Sequence, residues 1–170
     1  TSTNGNIDLS TINANGGGGL ATSNRSGGNV TITANNGDIN IDGTLQARSF
    51  GTGTGGNVTL TTTGAGRDIN LNNGADIITY GDNTSTGGQI NLTASDAMAW
   101  SNGSNVDAHG AVGGDVTLTT AADINLLGTN YIYAHSDQGL AGGSIDITST
   151  AGNFSQGAAG LTTYGTSGAG

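Results

Sequence analysis

The sequence contains no cysteine, no proline, no glutamate and no lysine. Without cysteine, neither a disulfide scaffold nor a thiolate metal site can form. The formal charge of −9 comes from twelve aspartates against three arginines, so we expect no nucleic-acid partner. No apolar run near Thr1 resembles a signal peptide or a membrane span, so we expect no membrane insertion.

What the chain does contain is 33 glycines, much Thr, Asn, Ser and Asp, and hydrophobic residues at only 33%. That balance is compatible with disorder. Val, Ile and Leu alternate with polar residues over short segments, however, and this alternation is typical of half-buried β-strands. The composition therefore indicates many short strands joined by turns.

An internal repeat organises these segments. Five Gly-Gly pairs, each followed by a polar residue and then Val or Ile, begin near residues 27, 55, 87, 113 and 142. The intervals are 55−27 = 28, 87−55 = 32, 113−87 = 26 and 142−113 = 29 residues. Strands of constant length joined by turns of variable length are how a solenoid accommodates insertions.

Each repeat divides into three alternating strands. Strand A is predicted at 30–33, 58–61, 90–93, 116–119 and 145–148. Strand B is predicted at 39–41, 69–71, 98–100, 124–126 and 154–156. Strand C is predicted at 45–48, 77–80, 106–109, 132–135 and 161–164. Residues 7–9 and 12–15 fit strands B and C of a repeat that begins before them.

Three such strands cannot bury their apolar faces within one repeat, but stacked repeats can. Like strands lying above one another would build three parallel sheets around a narrow core. We predict an all-β fold, a right-handed parallel β-helix with three strands per coil and about six coils, spanning 1–170 as a single segment. Because neither terminus carries a helix or charged segment to cover the strand edges, we expect a window of a longer rod.

The order Gly-Gly-x-Ile/Val-x-Ile/Leu-Thr, then Asp-Ile-Asn-Ile/Leu, then a short strand with Ala or Thr inside, runs through the chain. It resembles the haemagglutination-repeat β-helix of filamentous haemagglutinin-type proteins exported by two-partner secretion. The resemblance covers essentially the whole chain. It implies a secreted or surface-bound bacterial rod used in attachment, biofilm matrix or contact between cells. The family's amino-terminal secretion domain is not recognisable in this sequence.

These observations predict a structural or adhesive segment of an extracellular fibre or adhesin at the bacterial cell surface, with no cofactor. The expected partners are neighbouring repeats or copies of the chain placed end to end, and cell-surface glycans or host proteins. We predict no enzymatic activity. The aspartates are distributed by the repeat and the three arginines fall in separate coils, so no acid pair suited to polysaccharide cleavage is indicated.

The outward column of strand C is the first candidate surface, because exposed rings offer apolar area with polar tips. The alternative is a ladder that merely covers the sheet. His109 and His135 fall on successive coils beside Asp107, but two imidazoles and one carboxylate are a weak metal signal, and we predict no metal site. The candidate residues are Arg48, Tyr80, His109, Tyr133, His135 and Tyr164.

The outward face of strand A is the second candidate surface. A flat Thr-x-Thr array can order water in a lattice-like layer, so ice binding joins carbohydrate binding as the alternative function. Thr is also a favoured strand residue whose ladders stabilise exposed sheets, and Asn91 and Asp146 interrupt the array. The residues are Thr31, Thr33, Thr59, Thr61, Thr93, Thr117, Thr119 and Thr148.

Two smaller patterns complete the prediction. Asp38, Asp68 and Asp123 precede strand B in three coils, and we interpret them as turn residues that bond their own backbone rather than as calcium ligands. Met98 and Trp100 stand where other coils have Ile and Leu. They predict a local swelling of the core rather than a cofactor site.

Overall fold

The computed structural model describes residues 1–17, 24–82 and 84–165, and it confirms the predicted all-β parallel solenoid. Every regular element in these ranges is a strand, so no helix there is available to cross a membrane. The strands are β1 (Ile7–Asn13), β2 (Val30–Asn35), β3 (Ile39–Gln46), β4 (Val58–Thr63), β5 (Ile69–Leu71), β6 (Asp76–Ile78), β7 (Ile90–Ala94), β8 (Met98–Trp100), β9 (Asn105–Asp107), β10 (Val116–Thr120), β11 (Ile124–Leu126), β12 (Tyr131–Tyr133), β13 (Ile145–Ser149), β14 (Phe154–Gln156) and β15 (Gly160–Thr162).

The chain winds through five complete coils, each with an A, a B and a C strand, and β1 supplies the B and C strands of a partial coil beneath them. The A strands β2, β4, β7, β10 and β13 pair in parallel as a five-stranded sheet. The B and C strands belong to a second, ten-stranded sheet. Each strand therefore pairs with its counterparts in the adjacent coils.

The B and C strands share one sheet, where the sequence predicted two. Strand β3 runs through the corner without a break, and there Gly43 lies so close to Ser10 that a Cβ would overlap the Ser10 carbonyl oxygen. Later coils interrupt the corner with a turn that contains a left-handed glycine, as at Gly74 (φ 72°) and Gly103 (φ 83°). Strands B and C belong to one sheet because the corner between them is short in the partial coil and in the first complete coil.

The A and B strands begin at the residues the sequence predicted. The C strands at 76–78, 105–107, 131–133 and 160–162 begin one residue earlier and end two residues earlier than predicted. Backbone pairing continues past these ends, since Gly81 N donates to His109 O at 3.0 Å and Ser136 N donates to Tyr164 O at 2.9 Å. The outward column that follows strand C is therefore aligned from coil to coil.

The core consists of apolar columns that run along the rod, with one residue from each coil. Ile39, Ile69 and Met98 align in consecutive B strands and are fully buried. Complete burial of a side chain of this size contributes about 1.5–3 kcal/mol. Each buried position is covered by the same position in the coils above and below, so stacking is what keeps the interior dry.

Met98 and Trp100 lie in this core, as predicted. Trp100 aligns with Leu71 and Leu126, is fully buried, and its indole N–H has no hydrogen-bond partner among the described residues. An unpaired buried donor of this kind costs free energy, which the large apolar contact area of the indole offsets. The structure thus gives Trp100 a packing role.

The Gly-Gly pairs mark where the chain passes close to the C strand of its own coil and to the Gly-Gly pair of the coil below. A Cβ on Gly55 would overlap the carbonyl oxygen of Thr79, and a Cβ on Gly56 would overlap that of Gly28. No residue with a side chain fits at either position without displacing backbone. The motif that revealed the repeat is therefore a steric requirement of stacking.

Candidate functional site

The column predicted for strand C is a continuous stack of side chains on one side of the rod. Ring centroids are 4.6 Å apart for Tyr80 and His109, 5.1 Å for His109 and His135, and 5.2 Å for His135 and Tyr164, with interplanar angles of 14°, 10° and 22°. The guanidinium carbon of Arg48 lies 3.9 Å from the Tyr80 ring centroid. We call these five residues the ring ladder.

The ladder exists because its members occupy the same place on successive coils. Parallel strands lie about 4.8 Å apart, which is close to the separation that stacked rings prefer. The guanidinium continues the series because a planar cation packs well on an aromatic face. In-register stacking therefore turns one outward position per repeat into a line of contacting side chains.

Stacking decides which part of each ring meets solvent. The interior rings of Tyr80, His109 and His135 have neighbours on both faces, so their edges point outward. Tyr164 ends the described stack and is 55% exposed. None of the described residues forms a hydrogen bond with a tyrosine hydroxyl of this chain, so these polar tips are available to a partner.

Two aspartates bind the histidines. The carboxylate of Asp107 contacts His109 Nδ1, while the carboxylate of Asp137 lies 3.3 Å from His109 Nε2 and 2.9 Å from His135 Nε2. Asp137 therefore bridges the imidazoles of two successive coils. The remaining nitrogen, His135 Nδ1, is buried without a partner among the described residues.

The carboxylates favour the charged form of His109. Burial alone would lower the pKa of His109, but the hydrogen bond to Asp107 and the charges of Asp107 and Asp137 outweigh it, so the pKa is raised despite an opposing effect of Arg48. Burial lowers the pKa of Arg48, against the charges of Asp107 and Asp82. The middle of the ring ladder is thus an ion-paired cluster, and protonation of His109 strengthens it.

Tyr133, also predicted, lies beside the ring ladder and not within it. Its ring meets His135 edge-on, at 5.4 Å and 74°, and stacks on Tyr131 at 5.4 Å and 8°. Burial, followed by the influence of Tyr131, Asp107 and Tyr164, raises the pKa of Tyr133. Tyr131 escaped the sequence prediction, although a residue two places earlier on a strand shares its face.

Asp137 also escaped prediction, although it follows His135 by the same interval that separates Asp107 from His109. Within the described ranges, no group of three or more histidines and acids is arranged to hold a metal ion. The carboxylate of Asp137 already has two partners, the imidazoles of His109 and His135.

The aspartates before strand B link coils. A carboxylate oxygen of Asp38 accepts the backbone N–H of Asp68 at 3.2 Å, and one of Asp68 accepts that of Ala97 at 2.9 Å. Asp123 does the same for Asn153 at 2.8 Å. The prediction that these residues bond their own turn is wrong, because their partner is the following coil.

The threonines of the A strands form an aligned array. We call the outward threonines of this array the threonine face. None of the described residues forms a hydrogen bond with the outward hydroxyls of these threonines, whereas the inward Thr62 and Thr120 hydroxyls donate to backbone carbonyls. The column Thr33, Thr61, Thr93, Thr119 and Thr148 is unbroken, and the column Thr31, Thr59, Asn91, Thr117 and Asp146 runs beside it.

Comparison with known proteins adds no relative. No protein family, no curated protein and no solved structure matches this chain. The fold defines the class, a parallel β-solenoid, and its two ordered surfaces are the ring ladder and the threonine face.

Proposed function

We propose that this chain is a structural and adhesive segment of an extracellular bacterial fibre or adhesin, and that the ring ladder is its attachment surface for cell-surface glycans or proteins. The observation that carries the proposal is the unbroken contact from Arg48 to Tyr164 across five coils. Tyr and Arg are the residues most enriched at the energetic centres of protein interfaces.

The ring ladder suits attachment because it is ordered before a partner arrives. Its interior side chains have a ring or the Arg48 guanidinium on each face, and Asp107 and Asp137 also hold the two histidines, so binding would immobilise few additional rotamers. Its outer boundary offers ring edges and free hydroxyls that can exchange hydrogen bonds with sugar hydroxyls or peptide groups. The exposed face of Tyr164 and the half-exposed Tyr131 add apolar area.

The setting at a bacterial surface is supported by the likeness to haemagglutination repeats. Each element of that pattern has a defined place in the fold, from the Gly-Gly crossing to the aligned A and B strands. A rod of this kind separates the two tasks of such a protein. The buried columns give length, and the outward columns give contact.

The test is binding of the full chain to a glycan array and to whole cells, compared with a variant carrying Tyr80→Ala, Tyr133→Ala and Tyr164→Ala. We expect binding to fall by about ten-fold or more, as for truncated interface aromatics. The matched control carries Thr59→Ala, Thr93→Ala and Thr117→Ala on the threonine face. Equal binding by the parent and the tyrosine variant, or none by the parent, would contradict the proposal.

A second candidate function, ice binding, is favoured by the threonine face. Five aligned threonines with free hydroxyls present a regular grid of hydroxyl and methyl groups to water. If this grid orders water, the chain will show thermal hysteresis, and Thr61→Tyr with Thr119→Tyr will remove it because the bulky rings break the plane. Absence of hysteresis in the parent chain ends this candidate.

A further inference from the structure

Asp107 and Asp137 use their carboxylates differently. Each oxygen of Asp137 faces a histidine, with Oδ1 at 2.9 Å from His135 Nε2 and Oδ2 at 3.3 Å from His109 Nε2. Asp107 contacts both the backbone N–H and the ring Nδ1 of His109 through one oxygen, Oδ1. Its Oδ2 has no hydrogen-bond partner in the part of the chain that the structure describes, and it reaches solvent. This oxygen can therefore accept a hydrogen bond from a ligand.

Two tyrosine rings stand next to this free oxygen. Tyr133 is the register partner of Asp107 in the following coil, and Tyr131 stacks on Tyr133 with ring centroids 5.4 Å apart. Burial raises the pKa of Tyr133, and the influence of Tyr131 and Asp107 adds to the increase, so the field of Asp107 reaches this ring. A carboxylate oxygen beside aromatic rings is a combination that favours a cation.

The charges on this side of the rod have one dominant sign. After Arg67 the sequence contains no further arginine or lysine, so the coils that hold His109, His135 and Tyr164 have neither. Arg48 places one positive charge at the first rung of the ring ladder. The carboxylates on the same side are those of Asp76, Asp82, Asp107 and Asp137. Because they outnumber Arg48 and a protonated His109, this surface attracts a basic ligand and repels an acidic one.

The spacing of the ring ladder suits a polysaccharide better than a peptide. Its stacked rings lie 4.6, 5.1 and 5.2 Å apart along the rod. An extended peptide advances by about 3.3 Å per residue, so its side chains fall out of step with this series. One sugar residue of an extended β-linked polysaccharide has a length close to the height of one coil. Successive sugars of a chain laid along the rod can therefore meet successive ring edges.

We propose that the ring ladder binds extended glycans whose sugars carry free amino groups, and that Asp107 Oδ2 accepts a hydrogen bond from one ammonium group beside the ring of Tyr133. This inference rests on the proposed role of the ring ladder in attachment and names the class of its ligand. Neighbouring sugars pack along the ring edges and exchange hydrogen bonds with the tyrosine hydroxyls. Glycans that carry carboxylates or sulfates are rejected, because their charge meets Asp107 and Asp137.

The test is binding of the full chain to three β-linked oligosaccharides of equal length: an oligomer of glucosamine, its N-acetylated counterpart and an oligomer of glucuronic acid. The pH is set between the titration ranges of the aspartates and of the sugar amines, so that both groups are charged. We expect the glucosamine oligomer to bind at least about ten-fold more tightly than the N-acetylated one, as a charge-assisted hydrogen bond would provide. The glucuronic acid oligomer should bind most weakly, and added salt should weaken only the glucosamine complex.

Asp107→Asn assigns the preference to this carboxylate, because an amide keeps the size of the side chain and removes its charge. We expect this variant to lose the preference for amines and to bind the N-acetylated oligomer as the parent does, whereas Asp107→Glu keeps the preference. Asp123→Asn is the matched control, since it removes an equal charge before strand B and its Oδ1 can still accept Asn153 N–H. Circular dichroism checks that each variant is folded.

The inference is overturned if the parent binds none of the three oligomers, or binds either of the others as tightly as the glucosamine oligomer. It is also overturned if Asp123→Asn weakens the glucosamine complex as much as Asp107→Asn does. The ranking by the parent alone is decisive where Asp107→Asn does not fold. The proposed function is judged separately, by the loss of glycan and cell binding in the triple tyrosine variant. A parent that binds neutral or acidic glycans through those tyrosines would refute the amine preference and leave attachment by the ring ladder standing.

Discussion

The ring ladder and the threonine face arise from the same in-register stacking and differ in how their side chains use it. In the ring ladder, Tyr80, His109 and His135 stack in turn across coils, and carboxylates tie the two histidines. On the threonine face, the hydroxyls form no hydrogen bond to any described residue. A repeated outward position can thus either bind its own neighbours or remain available to solvent.

The largest effect that separates the two surfaces is on stability. His109→Ala removes two ring contacts and the partner of two carboxylates, so we expect the free energy of unfolding to fall by about 1–2 kcal/mol. Thr93→Ala changes the threonine face in the coil that also holds His109, and should cost no more than about 0.5 kcal/mol. Urea unfolding followed by circular dichroism measures both, and equal losses would contradict the distinction.

A smaller effect is expected from pH. The pKa of His109 is raised in the folded chain, so its protonation stabilises the fold fully below the unfolded pKa of about 6.5, and this contribution is lost as pH rises through the folded pKa. The groups facing His109 are Asp107, Asp137, Arg48 and the rings of Tyr80 and His135.

The measurement is urea unfolding of the parent and of His109→Gln between about pH 5.5 and 9, above the range where aspartates titrate. The stability advantage of the parent should shrink as the pH increases. The threonine-face variant Thr93→Ala should follow the parent at every pH. An advantage that grows toward alkaline pH would show that His109 is not stabilised as an imidazolium.

Much of this comparison could be read from the sequence, because a residue at a fixed place in the repeat recurs at a fixed place in space. That reasoning located the A and B strands, the ring ladder and the threonine columns. It missed Asp137, whose position depends on the path of the turn after strand C rather than on the strand pattern. It also assigned Asp38 a partner in its own turn, since alternation says nothing about which coil a side chain reaches.

The sequence also did not predict that the B and C strands share one sheet, because that depends on the path of a turn as well. The break between them depends on whether the corner contains a left-handed turn, as at Gly74, or a short extended path, as at Gly43. Both corners contain glycine, so composition does not distinguish them. Corner length is the signal that separates these two cases.

The smallest predicted effect lies within one strand and tests the claim that outward hydroxyls are free. Thr119 and Thr120 are adjacent on β10, but the Thr120 hydroxyl is buried and donates to Ala122 O at 2.6 Å. Replacement by Val keeps the shape and removes the hydroxyl. We expect Thr120→Val to lower the free energy of unfolding by about 1 kcal/mol because it removes a buried hydrogen bond, and Thr119→Val to change it by less than about 0.5 kcal/mol. A substantial loss from Thr119→Val in urea unfolding would mean that the threonine face stabilises the rod through its hydroxyls, and would remove the physical basis for assigning that face to water.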